Sequence, residues 1–328
     1  CTSPKTYNNL SDGTYTFEVR AKDVAGNTDG SPDSRTFTVD TQAPSAPVIN
    51  SPAQGSYNNT GNVALSGTAE ANSTVELFEG TTSKGKTTAG ASGNWSKTLT
   101  GVADGSHTYT AKATDAVGNT SAVSNARTVI VDTKAPSAPV ITGPANSYDN
   151  DGNFTVSGTA EANSTVELFE GRTSKGKATV NGYGAWSVAL RNVASGSHSY
   201  TAKATDSAGN TSAASSARTI IVDKTAPVVT GIGTTTVSRK TTFRATFSEA
   251  MNPASLNTTT FTLVKQGTNT PVAATVRYNA ASKTVTLSPK SNLLPGTYTV
   301  TVKGGASGAK DLAGNALAAN KVWSYKAR

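Results

Sequence analysis

The chain has one cysteine, Cys1, so no internal disulfide framework can hold it together. It has no run of about 18 apolar residues, so no segment reads as a membrane-spanning helix. No basic, apolar, small-residue leader opens it, so no signal peptide is read there. It holds only two histidines, His107 and His198, and no glycine-rich phosphate loop ahead of a helical pattern. No pair of carboxylates stands out for acid–base work, and no nucleic-acid partner is expected. Hydrophobic residues make up 35% of the chain, low for a globular protein, while glycine and threonine are plentiful. Small sandwiches with many turns have this composition, whereas disordered chains lack its regularly spaced aromatics.

What is present is a repeat. SGTAEANSTVELFEG runs over 66–80 and recurs letter for letter over 157–171, an offset of 91 residues that Trp95 and Trp186, His107 and His198, and Asp132 and Asp223 also keep. A fixed period of this size marks tandem copies of one folding unit. Within it Val75, Glu76 and Leu77 alternate, which predicts a half-buried strand. Strands are predicted near 47–50, 62–67, 73–79, 84–88, 93–100, 105–114 and 126–131, all paired antiparallel because no helical crossover is available to return a parallel strand. Trp95, Tyr109, Trp186 and Tyr200 fall on the core side, and Lys112 and Lys203 point outward, which disfavours an intramolecular isopeptide bond from either lysine.

The repeat and its Pro-containing linkers divide the chain into 1–43, 44–133, 134–224 and 225–328. Residues 1–43 read as the second half of a unit, with Tyr15, Phe17 and Val19 on one apolar face and the first strands missing. Charge is distributed unevenly. Residues 225–328 carry twelve Lys/Arg against two Asp/Glu, although the whole chain is only +8. An electrostatic partner is therefore expected there, with Lys240, Arg244, Lys283, Lys290 and Lys303 turned toward an anionic wall polymer or glycan.

His107 and His198 occupy the same place in two copies and read as strand-initiating residues, since a catalytic histidine needs a nucleophile and an orienting partner. Asp149-Asn-Asp-Gly-Asn153 resembles the front of a calcium loop, but its twelfth position is Ala160 rather than glutamate, so a plain Asx turn is expected. Cys1 is open to three readings: a truncation point, a disulfide partner, or a lipid-anchored terminus.

The motifs ATDAVGNTS, ATDSAGNTS and AKDVAGNTD, with linkers VDTQAP and VDTKAP, resemble bacterial immunoglobulin-like domains of large surface proteins. FRATFSEAMNPASLNTTTFTL and KDLAGNALAAN resemble the Ig-like domain of S-layer proteins, with a short helical turn over 248–253. The resemblance implies an all-β chain of tandem antiparallel sandwiches forming an elongated rod, on the order of 100–140 Å if each sandwich is about 30 Å long. It also implies calcium at the junctions, where Asp40, Asp132 and Asp223 end strands beside the turns of Asp23, Asp115 and Asp206. The expected role is a non-enzymatic extracellular spacer, an adhesin stalk or fibre component, secreted or attached to the cell surface. Its partners would be neighbouring Ig-like domains of the same or another chain. Two alternatives stay open: carbohydrate-binding accessory modules of an exported hydrolase, with loop residues Tyr57, Tyr148 and Tyr183 as platform, and a self-assembling filament subunit.

Overall fold

The computed structural model describes residues 4–237 and 240–328, and the side chains of all of these except 236, 237 and 240. Cys1 and the side chain of Lys240 therefore lie outside the described residues. The chain divides into two compact units, one of residues 1–134 with 207–210 and the other of 135–206 with 211–328.

In the first unit, β1 (Gly13–Val19) and β2 (Asp33–Val39) form a two-stranded antiparallel sheet, Tyr15 opposite Phe37. It cannot enclose a core alone. Phe17, Val19 and Phe37 remain exposed, as the alternation of this segment predicts for a half-sandwich.

Eight more strands follow: β3 (Val48–Ser51), β4 (Ser56–Asn58), β5 (Val63–Thr68), β6 (Thr74–Glu79), β7 (Thr82–Thr88), β8 (Asn94–Leu99), β9 (Gly105–Thr114) and β10 (Arg127–Val131). They make a three-stranded sheet, β3-β5-β8, and a five-stranded sheet, β4-β10-β9-β6-β7. Alternation puts Val63, Leu65, Val75, Leu77, Tyr109 and Ala111 between the sheets with Trp95, leaving the intervening polar residues outside. Gly67 is required where β5 passes β3, because a Cβ there would run into the Val48 carbonyl and the Trp95 ring.

The strands agree with the sequence reading except at β4, which that reading omits. β4 also corrects the all-antiparallel expectation, since it pairs parallel to β10 with Tyr57 opposite Ile130. No crossover helix is needed. The chain leaves the small sheet after β3, crosses to the other sheet over residues 52–55 and continues as its edge strand.

The second unit begins with the same arrangement: β11 (Val140–Gly143), β12 (Tyr148–Asp149), β13 (Phe154–Thr159), β14 (Thr165–Glu170), β15 (Thr173–Thr179), β16 (Ala185–Leu190), β17 (Gly196–Thr205) and β18 (Arg218–Val222). Its sheets are β11-β13-β16 and β12-β18-β17-β14-β15, with β12 again parallel to β18. Trp186 is 4% exposed where Trp95 is 3% exposed, so the repeated sequence gives a repeated core.

The remaining strands are β19 (Val229–Val237), β20 (Lys240–Phe247), β21 (Phe261–Lys265), β22 (Ala274–Asn279), β23 (Thr284–Pro289), β24 (Gly296–Val302) and β25 (Lys321–Ala327). They form sheets β19-β20-β23-β22 and β21-β24-β25 around Phe243, Phe247, Phe261, Leu263, Tyr298 and Val300. The expected helical turn over 248–253 lies later. A single 3-10 turn covers Pro253–Ser255, where Asn252 caps the Ala254 amide and Pro253 fixes φ for the first turn. Among the described residues no helix is long and apolar enough to cross a membrane.

Candidate functional site

The two histidines hold an identical constellation. His107 Nδ1 lies 2.6 Å from Glu79 Oε1 and Nε2 lies 2.9 Å from the Ala103 carbonyl. Both partners are acceptors, so both bonds exist together only when both ring nitrogens carry protons. Lys84 Nζ reaches the other Glu79 oxygen at 2.7 Å. Hydrogen bonds from Lys84 and His107 hold the Glu79 carboxyl below its ordinary value. In the second copy His198, Glu170, Ala194 and Lys175 repeat every one of these contacts. Among the described residues no Ser, Thr or Cys side chain is hydrogen-bonded to either imidazole; the ring of His107 ties β9 to β6, and that of His198 ties β17 to β14.

The Asp-x-x-Gly-Asn turns do more than reverse the chain. Asp115 Oδ1 accepts the amides of Val117, Gly118 and Asn119, and Asp115 Oδ2 accepts Asn119 Nδ2 at 2.8 Å. Held in this way, Asn119 Nδ2 also donates to the backbone carbonyl of Asp40 at 2.9 Å. Asn210 Nδ2 donates likewise to the Asp132 carbonyl at 2.8 Å, both residues lying in the first unit. In the second unit Asn315 Nδ2 donates to the Asp223 carbonyl at 2.7 Å, steadied by Asp311. Each turn thus grips the residue that closes the preceding sandwich. On the other side of that residue, Thr41 and Thr133 are held through amide and hydroxyl by Asp12 and Asp104.

The calcium candidates separate into two kinds. Asp40 and Asp132 spend a carboxylate oxygen on the amides of Gln42 and Lys134, an Asx turn in each case. Asp223 makes the same turn with Thr225 and alone joins a three-carboxylate group, with Glu249 and Asp311, one oxygen from each lying within 4.8 Å of the others. Burial, then the facing Asp223 and Asp311 carboxylates, push the Glu249 carboxyl up to about 7. A hard cation there would draw three oxygens from these side chains and the rest of its shell from backbone or water. Asp23, Asp115 and Asp206 are not part of this group. Asp149-Asn-Asp-Gly-Asn153 is the plain Asx turn expected, with Asp149 Oδ1 accepting the amides of Asp151 and Gly152.

Among the glycan-platform candidates Tyr183 is fully exposed in a turn. Tyr57 and Tyr148, expected in loops, sit instead in the edge strands β4 and β12. The tryptophans 95 and 186 are core residues. Arg244, Lys283, Lys290 and Lys303 are all exposed, as expected of a basic surface. Arg277, a residue that its sequence context does not single out, sits two strands away from Arg244, across β23, on the same sheet face.

Comparison with known proteins matches two family profiles, both described as bacterial Ig-like domain: one over residues 52–133 and 142–224, the other over 222–327. Exoglucanase B of Cellulomonas fimi is 30% identical over 232 residues, which is 63% of this chain and 20% of that protein. Chitinase A1 of Niallia circulans is 39% identical over 139 residues, 38% of this chain and 18% of that protein. The chain therefore spans about a fifth of the length of these relatives. Among solved structures, the fibronectin(III)-like modules of Clostridium thermocellum CbhA match at a TM-score of 0.39 and 20% identity, over 53% of this chain and 93% of theirs. With family profiles covering most of its length, each over a two-sheet sandwich of mainly antiparallel strands, the chain belongs to the bacterial Ig-like domain family.

Proposed function

We propose that this chain is a non-enzymatic extracellular spacer, a run of Ig-like sandwiches that sets the distance between other parts of a bacterial surface or secreted protein. The observation that carries this is the repeated junction bond, in which an asparagine of one sandwich holds the carbonyl of the aspartate that closes the sandwich before it. A linker whose first residue is held in this way has less freedom left to lose, and its prolines add stiffness. An adhesin stalk would use such a run to hold a binding tip away from the cell. A hydrolase like those named above would use it to separate a catalytic part from a polymer-binding part. The test is replacement in the full-length protein. Exchanging 44–224 for two unrelated rigid sandwiches of equal length preserves adhesion or polymer hydrolysis if the segment is a spacer. Loss of that activity, with binding of a glycan by the isolated segment, favours the carbohydrate-binding alternative instead.

A further inference from the structure

Residues 225–328 contain only two acidic side chains, Glu249 and Asp311, and both are gathered with Asp223 in one cluster. The positive charge of this sandwich is therefore not offset on its other faces. Among the described residues no ion pair involves a Lys or Arg of this segment.

The outward face of sheet β19-β20-β23-β22 gives that charge a definite form. Register places Gly233, Arg244, Thr286 and Arg277 in one row across the four strands. Alternation turns Phe243 and Ala245 beside Arg244, and Val285 and Leu287 beside Thr286, into the core, so this row faces solvent. The next row is Thr246, Thr284 and Asn279, with the two threonine hydroxyls 3.0 Å apart. Two exposed guanidiniums thus flank a strip of hydroxyls, separated by two strand spacings, roughly 10 Å. No residue of these rows is acidic, aromatic or large and apolar.

We propose that this face binds an acidic polysaccharide, its carboxylates paired with Arg244 and Arg277 and its hydroxyls exchanging hydrogen bonds with the threonines between them. Charge complementarity selects a polyanion, and the planar forks of arginine suit carboxylates. Lacking an aromatic, the face gives neither nucleobases nor neutral sugar rings anything to stack on. This goes beyond the spacer reading and is independent of it, because a spacer needs no ligand.

The experiment is titration of the whole chain with polygalacturonate at low and high salt, with duplex DNA as the competing polyanion. Two paired variants carry equal charge loss: Arg244→Gln with Arg277→Gln on this face, and Lys303→Gln with Lys321→Gln beside the other sheet. All four side chains are exposed, and unchanged melting of each variant confirms that it folds. Saturable binding that weakens with salt is expected. It should fall at least tenfold in the arginine pair and stay within threefold of the parent in the lysine pair. Absence of saturable binding, or less than a threefold difference between the pairs, overturns the proposal. So does duplex DNA binding more tightly than polygalacturonate through the same two arginines.

Discussion

Asn315→Ala removes a side chain that donates twice from one nitrogen, to the Asp223 carbonyl at 2.7 Å and to Asp311 Oδ2 at 2.8 Å. A bond to a neutral carbonyl contributes about 0.5–1.5 kcal/mol and one to a carboxylate about 1.5–3 kcal/mol. Asp311 is only 1% exposed; its Oδ1 keeps the amides of Gly314 and Asn315 as donors, but its Oδ2 loses the donor that Asn315 supplies. The loss should therefore fall toward the upper end, about 3–4 kcal/mol, which lowers local protection against exchange by roughly 150- to 900-fold. Amide hydrogen exchange of the full chain resolves this by position. Protection should drop at residues 309–317 and at 223–225 together, because the bond joins them. Asn27 supplies the internal control: it bonds Asp23 in the same way, but its only recorded acceptor is in its own turn. Asn27→Ala should change protection only locally. If Asn315→Ala also leaves 223–225 unchanged, the junction bond carries no stability and the reasoning fails.

The remaining predictions concern the cores, pH and calcium. Trp95→Ala or Trp186→Ala should each cost about 3–5 kcal/mol in urea unfolding of its own sandwich, whereas Tyr183→Ala should be close to neutral. On the acid side, Glu79 and Glu170 are held below the ordinary glutamate value of 4.5, each first by its lysine and then with help from its histidine. Their contribution is whole above that value and is lost as pH falls through the lower folded one, so Glu79→Gln with Glu170→Gln should flatten the melting temperature profile between pH 5 and pH 3 (about two units). On the alkaline side, burial and then the nearby Glu79 or Glu170 push Tyr109 and Tyr200 up to about 12. Their stabilisation is whole below the unfolded value of 10.0 and declines as pH rises toward the folded one, which melting curves across that interval would show. The calcium expectation narrows to Asp223: added calcium should raise the melting temperature of the parent but not of Glu249→Gln, and equal shifts in both would remove the site.

The sequence was most informative where pattern is local. Val75, Leu77 and Tyr109 lie on strands long enough for alternation to assign their faces, and the exact 66–80 repeat carries that assignment to the second copy. β4 escaped because three polar-leaning residues, Ser56-Tyr-Asn58, show no alternation, and its partner β10 lies more than seventy residues away. Glu79 and His107 are 28 positions apart, so no motif joins them until β6 pairs with β9. The acidic group shows the same limit. Asp223 was singled out as a strand end, but Glu249 and Asp311 come to it only through the fold. Arg277 was legible in principle, since Thr275 and Arg277 alternate with Val276 and Tyr278, but its nearness to Arg244 is a matter of strand order.

The spacer account depends most directly on whether successive sandwiches keep fixed angles in solution. Small-angle scattering of the full chain over a concentration series measures this. The account predicts a concentration-independent monomer with a radius of gyration above about 30 Å, against about 20 Å for a compact globule of this length, and a distance distribution fitted by one arrangement of sandwiches. A value near that of a globule, or a profile that requires a broad ensemble of interdomain angles, would contradict it.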